Sequence, residues 1–338
     1  MLQRAAQIQN KSVVVTVRMM QIRQMLCDLF VSSMNPLPLG LTFFERGWLS
    51  SNNVLIHDDD QSILVDSGYW THAEQTHALI TSVLGATPLT TLINTHLHSD
   101  HCGGNSYLQS HYSQLKTRIP PGHAEFVDDW DPVSLTYTPT GQHCPPFKRT
   151  SSLENGESFV IGGKTWRIHA APGHDPHSII LMNEDDGILI SADALWENGF
   201  GVVFPEIEGC EAFDEVASTL NVIEKLSPKL VLPGHGSPFS DTSGALARAR
   251  SRLAQFRNAP DKHASYAAKV LLKFKLLEFQ RISKADFLNW GQSAHYLHLL
   301  FDKYSSTQSF ESWFVDLYKS LEKSNACIVD GEFIINID

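Results

Sequence analysis

Between positions 96 and 101 the chain reads His-Leu-His-Ser-Asp-His, so four side chains able to bind a metal, His96, His98, Asp100 and His101, fall within six residues. Burying that many ionisable groups without a compensating cation is costly. A fold that accommodates this string must therefore bring it to one place and supply positive charge there. The preceding "LTTLINT" (89–95) is apolar and β-branched, the pattern of a buried strand, so the string begins where a strand gives way to a loop. Such a loop can splay neighbours toward different centres, whereas a helix would scatter them around its circumference. Imidazole and carboxylate donors without thiolate suit zinc, with iron or manganese as substitutes.

Around this string, short β-branched runs alternate with amphipathic stretches from about residue 40 onward, an α+β pattern. "VLIHDDDQSILVDSG" (54–68) is expected to form a hairpin around its acidic turn, and 71–85 a helix with Gly85 past its end. Hairpins are expected over 158–174, turning at Gly162 and Gly163, and over 178–193, turning at Asp186 and Gly187. A helix over 213–226 and a strand entering "LPGHG" follow. The stretch from Ile119 to Thr150, with six prolines, is expected to be a lid, a binding loop or an insertion. Beyond Asp241 the pattern is mostly helical. Tyr266, Val270, Phe274 and Leu277 share one face of a helix over 263–280, and helices near 293–304 and 309–322 precede a hairpin at Asp330 and Gly331. This tail, 245–338, suggests a small winged-helix-like module behind a domain over 34–244.

The formal net charge is -11 and is uneven: 1–244 carries a net -14 and 245–338 a net +3. So acidic a head repels a polyanion and favours small substrates. The run from Arg248 to Lys284, net +8, is read as a solvated helix face, with nucleic-acid contact as the alternative. Five cysteines form no CxxC pair, which fits a reducing, cytoplasmic setting. No run of about 18 uncharged apolar residues offers a membrane span. Residues 1–33 are basic, acid-poor and amphipathic, so they are expected to be an organellar presequence or an over-extended start before Met34, poorly ordered in either case.

Three further motifs follow the histidine string in order: "PGHDPHS" with His174, "SADAL" with Asp193 and "LPGHGSP" with His235. Over residues 40–240 the chain resembles the metallo-β-lactamase superfamily, whose signature is HxHxDH. The resemblance implies a four-layer αββα sandwich. It makes His96, His98 and His174 ligands of one metal, Asp100, His101 and His235 ligands of a second, and Asp193 the bridge between them. Two zinc ions per chain are thereby implied, with a shared hydroxide as nucleophile and Asp100 orienting it. Asp66, in "LVDSG", resembles the acid that orients a ligand histidine in this fold.

Trp196, Phe200 and Phe204 follow Asp193 closely and are expected either to wall a substrate pocket or to pack in the core. His123, His143 and His177 are read as loop or pocket residues rather than ligands, and Cys102 as a small buried residue. The reaction expected is hydrolysis of an ester, thioester or lactone of a small or acyl-linked molecule, on the likeness to glyoxalase II-like hydrolases. "WENGFGVVFPEIEG" departs from the glyoxalase II pattern after the bridging acid, which puts glutathione thioesters in doubt. Cleavage of single-stranded RNA is the alternative, and a non-catalytic metal-binding role a third. Oligomeric state is not legible from these features.

Overall fold

Strands rich in Val, Ile and Leu on both faces are stable only between two covering layers. A computed structural model describes residues 37–305 and 307–337, and two of its sheets contain such strands; the expectation for residues 1–33 lies outside the described residues. The first sheet runs in the order β1 (Leu41–Phe44), β2 (Asn53–His57), β3 (Ser62–Val65), β4 (Thr91–Ile93), β5 (Lys116–Ile119), β6 (Ser151–Ser152). The second contains β7 (Ser158–Ile161), β8 (Lys164–Ala170), β9 (Ile179–Asn183), β10 (Ile188–Ala192) and β11 (Leu230–Pro233), in the order β11-β10-β9-β8-β7. β3, β4, β5 and β6 pair in parallel, as do β10 and β11, while the expected hairpins β2–β3, β7–β8 and β9–β10 are antiparallel.

Helices of eight or more residues are α1 (Ala73–Leu84), α2 (Phe213–Leu226), α3 (Thr242–Asn258), α4 (Pro260–Phe279), α5 (Lys284–Ser293), α6 (His295–Tyr304) and α7 (Phe310–Lys323). Leu55, Leu64 and Leu92 of the first sheet pack with Ile80 of α1. Their neighbours Val54, Ile56, Ile63, Val65 and Ile93 point to the opposite face and are buried as well. In the second sheet Ile180, Met182, Leu189 and Val231 pack under α2 and α3, and Ile179, Leu181, Ile188, Ile190 and Leu232 are buried on the other face. Two sheets face to face with helices outside is the αββα sandwich. Each buried Leu or Ile contributes ~1.5–3 kcal/mol relative to exposure.

α1 starts two residues later than its sequence pattern, because a 3₁₀ turn, Trp70–His72, precedes it; Gly85 follows its end at φ +60°. The 119–150 stretch is not a loose loop. Its Leu135, Tyr137, Cys144 and Phe147 pack with Leu97, Cys102 and Ile119, at spacings too irregular for periodicity to reveal. Cys102 is buried there, as expected. α4 begins earlier than expected, at Pro260, where proline's missing N–H costs nothing. The terminal hairpin, β13 (Cys327–Asp330) and β14 (Phe333–Asn336), is joined by β12 (Arg281–Ser283). Leu271, Leu272, Phe287, Leu297, Phe314 and Ile334 form a core for this helical region. Among the described residues no helix is long and apolar enough to cross a membrane.

α4 is tied to the loop after β3 by a buried polar knot. Tyr69 Oη donates to Glu278 Oε1 at 2.9 Å, and Lys275 Nζ to Glu278 Oε2 at 2.7 Å, with Lys275 and Glu278 only 9% and 10% exposed. Removing one member of a buried pair costs ~3–5 kcal/mol because the other charge is stranded. Glu278→Ala is expected to lose that much in urea unfolding, and Lys275→Met in the same chain to recover most of it. Equal losses in the single and double variants would contradict the pairing.

Candidate metal centre

Parallel neighbours end at the same edge of a sheet, so the ends of β3, β4, β10 and β11 deliver their next residues to one place. Asp66 follows β3, His96 lies three residues beyond β4, Asp193 follows β10 and His235 lies two beyond β11; His174 sits between β8 and β9. The histidine string is not a loop throughout. Ser99–Cys102 form one helical turn entered from extended His98, with the His101 N–H donating to the His98 carbonyl at 3.0 Å. The break at His98 separates His96 and His98 from Asp100 and His101. Four residues are too few for helical periodicity to show.

All seven expected ligands converge. His98 Nδ1 lies 2.9 Å, and His96 Nε2 3.2 Å, from His174 Nε2. His235 Nε2 is 3.1 Å from Asp100 Oδ2, and Asp193 presents Oδ1 at 3.5 Å to His101 Nε2 and Oδ2 at 3.4 Å to His174 Nε2. Three triads have donor atoms within 4.8 Å of one another and could each hold a metal ion: His96, His98 and His174; His96, His101 and Asp193; Asp100, His101 and His235. The backbone accommodates this at some strain. Asp66 and Ala192 have φ of +59° and +46°, and β10 shifts register between Ile190 and Ala192, which aims Asp193 into the cluster. Gly234 is required beside it, since a Cβ there would come within 2.3 Å of Asp193 Oδ1.

The hydrogen bonds around the cluster determine which nitrogens face inward. Asp66 Oδ2 accepts from His101 Nδ1 at 2.8 Å and from the Thr95 hydroxyl at 2.8 Å, while Oδ1 accepts from the Thr95 N–H. His174 Nδ1 is 2.5 Å from the Val202 carbonyl oxygen, which can only accept. Both rings therefore turn Nε2 into the cluster, and His101 Nε2, whose nearest groups are the carboxylates of Asp193 and Asp100, is buried without a hydrogen-bond partner. Burial, then the neighbouring imidazoles, hold His96 well below the usual histidine range, and burial and His174 push His98 down to about 4. For His101 burial acts downward, but Asp66, Asp100 and Asp193 outweigh it and raise it. Burial would raise Asp193, yet His235 and His101 draw it below the ordinary carboxylate range. Neutral histidines, ionised acids and a nitrogen where positive charge is favoured form a donor set that fits divalent metal.

The cluster opens into a cavity of about 340 Å³. Trp196 and Phe204 line it, whereas Phe200 packs in the core near Phe256 beyond a turn at Gly199. Trp196 Nε1 donates to Asp193 Oδ1 at 3.2 Å. His123 and His177 lie against each other and His143 against Trp70, all outside the three triads. Sequence reasoning missed Trp48, stacked on His235 at 5.2 Å, and Gln142, neither of which carries a local motif. The face of α4 singled out by periodicity, Tyr266, Val270, Phe274 and Leu277, forms the apolar wall together with Leu321. Four cations of the basic run are paired within the protein: Arg250 with Glu224, Arg257 with Asp214, Arg248 with Asp241 and Lys275 with Glu278.

Residues 46–235 match the family model of the metallo-beta-lactamase superfamily. Among curated proteins, an acyl-coenzyme A thioesterase from Gallus gallus is 25% identical over 225 residues, covering 60% of this chain and 80% of that protein. A thioesterase from Emericella nidulans is 24% identical, covering 59% of this chain and 49% of its own. A hydroxyacylglutathione hydrolase from Prochlorococcus marinus is 28% identical, covering 42% and 48%. The matched region thus spans about half the length of the latter two. A metallo-beta-lactamase family protein from Thermus thermophilus shares the fold at a TM-score of 0.53 and 17% identity, over 89% of this chain and all of that one. A beta-lactamase domain protein from Burkholderia ambifaria does so at 0.53 and 23%, over 80% and 88%.

Removing the carboxylate that orients a metal-binding histidine typically costs 10–100-fold in affinity. Asp66→Asn is expected to weaken zinc binding by about that factor in competition with a chromophoric chelator. Unchanged affinity would show that the Asp66–His101 bond serves folding alone.

Proposed function

The chain belongs to the metallo-β-lactamase superfamily, and from that premise we propose that it hydrolyses an ester, thioester or lactone of a small or acyl-linked molecule with two metal ions, most simply zinc. His96, His98 and His174 would hold one ion, Asp100, His101 and His235 the other, with Asp193 shared between them. The catalytic domain is taken as residues 34–244, with 245–338 supplying the far wall of the cavity. Two ions bound there supply a water of lowered pKa and positive charge for the carbonyl oxygen. Asp100 is assigned to accept a hydrogen bond from the attacking water and orient it, and Trp196 to keep Asp193 in place through its indole N–H. The observation that carries the reading is a single cavity with the histidine and aspartate cluster at one side and the apolar face of α4 at another. Such a wall suits an acyl chain. The names of the thioesterase relatives agree with it.

Cleavage of RNA draws less support, because four cations of the run that would track a phosphate backbone are already paired, with Asp241, Glu224, Asp214 and Glu278. The test is a panel of acyl thioesters, esters, lactones and single-stranded RNA, assayed with the zinc-loaded protein. Turnover of an acyl substrate is expected, abolished by chelation and lowered by more than about 100-fold in Asp193→Ala, beyond what losing an outer partner costs. Salt-sensitive RNA cleavage without acyl turnover would overturn the proposal, and bound metal with no turnover at all would favour a non-catalytic role.

A further inference from the structure

We propose that Gln142 donates a hydrogen bond to the carbonyl oxygen of the substrate, an inference that rests on the hydrolase reading above. Gln142 enters the cavity wall from the 119–150 stretch, and its backbone is pinned on both sides. Its N–H donates to the Tyr137 carbonyl at 2.9 Å, and the Gly141 carbonyl accepts from Trp290 Nε1 at 3.1 Å. Gly141 has φ +66°, and a Cβ there would come within 2.4 Å of that indole nitrogen, so glycine is required for the approach.

The side chain is held by the histidine string itself. Ser99, fully buried between His98 and Asp100, donates its hydroxyl to Gln142 Oε1 at 2.5 Å. That separation suits an O–H donor and is short for an amide N–H, so the oxygen faces Ser99 and Nε2 faces away. Among the described residues Nε2 has no hydrogen-bond partner. Three other donors of the cavity wall are engaged within the protein: the Thr140 hydroxyl on the Thr136 and Tyr137 carbonyls, the Trp196 indole on Asp193, and the Lys273 ammonium on the Ala326 and Ile337 carbonyls and Asn336. An amide tethered to the residue between two candidate ligands, with both N–H groups unspent at the cavity wall, is a donor oriented before substrate arrives.

In thioester hydrolysis the water oxygen bonds to the carbonyl carbon, the C–S bond breaks, and the departing sulfur takes up the proton that the water gives up. Negative charge gathers on the carbonyl oxygen in between, and Gln142 stabilises it without transferring a proton. Loss of one such donor lowers kcat ~10²–10³-fold.

Two variants separate donation from support. Gln142→Glu still accepts from Ser99 but has no N–H, and Gln142→Met has neither. Both are expected to lose about 10²–10³ in kcat with KM changed little, to keep their metal content and melting temperature, and to bind the product carboxylate more weakly by calorimetry. Wild-type kcat and product affinity in Gln142→Glu would reduce the residue to a brace for Ser99 and overturn the proposal. Full activity in Gln142→Met would overturn it as well. Wild-type protein that hydrolyses no acyl substrate would overturn the hydrolase reading, and this assignment with it.

Discussion

Inward-facing imidazole nitrogens and ionised carboxylates lie 3.1–3.9 Å apart at one buried edge of the sandwich, and positive charge there balances them. The bond from His101 to Asp66 is the pivot. It turns His101 Nε2 inward, where the nearest groups, Asp193 Oδ1 and Asp100 Oδ2, are both acceptors. His174 is fixed likewise, its outer nitrogen bonded to the Val202 carbonyl and its Nε2 turned toward His98 Nδ1, His96 Nε2 and Asp193 Oδ2. Hydrogen bonds on the outside of each ring thus create the demand for a cation on the inside.

That demand explains features that would otherwise be liabilities. Asp66 and Ala192 occupy left-handed backbone, and Gly234 carries no side chain because Asp193 needs the space. Strain of this kind persists where surrounding structure over-determines it. Here the two sheets do so, because β3, β4, β10 and β11 are buried on both faces and end side by side. The tail contributes a different element, an apolar wall beside the cluster. α4 can form it because its other faces, through Ala267, Leu271 and Leu272, belong to the core of the helical region.

What was legible in the sequence, and what was not, follows from distance along the chain. The string from His96 to His101 is contiguous, and His174, Asp193 and His235 each sit just past a strand pattern. Their convergence was therefore readable from motif order. Asp66 was readable for the same reason. Pocket and core could not be told apart for Phe200, because nearness to Asp193 in sequence does not survive the turn at Gly199, which sends its ring into the core. Gln142 was invisible, since its tether to Ser99 joins residues 43 apart. Periodicity identified the apolar face of α4 correctly but could not say whether it would meet a core or a cavity. Summed charge could not show which cations of the basic run are paired, because Arg250 and Glu224 are 26 residues apart in sequence and in contact in space.

The most direct test of the account is the metal content of the purified protein, determined by elemental analysis beside a His98→Ala, Asp193→Ala double variant. About two zinc ions per chain, lost in the double variant while the fold is retained, is the predicted result. A wild-type protein that holds no stoichiometric metal even after reconstitution would contradict it, and would leave the unpartnered Nε2 of His101 and the carboxylates around it without the cation on which the rest of this site depends.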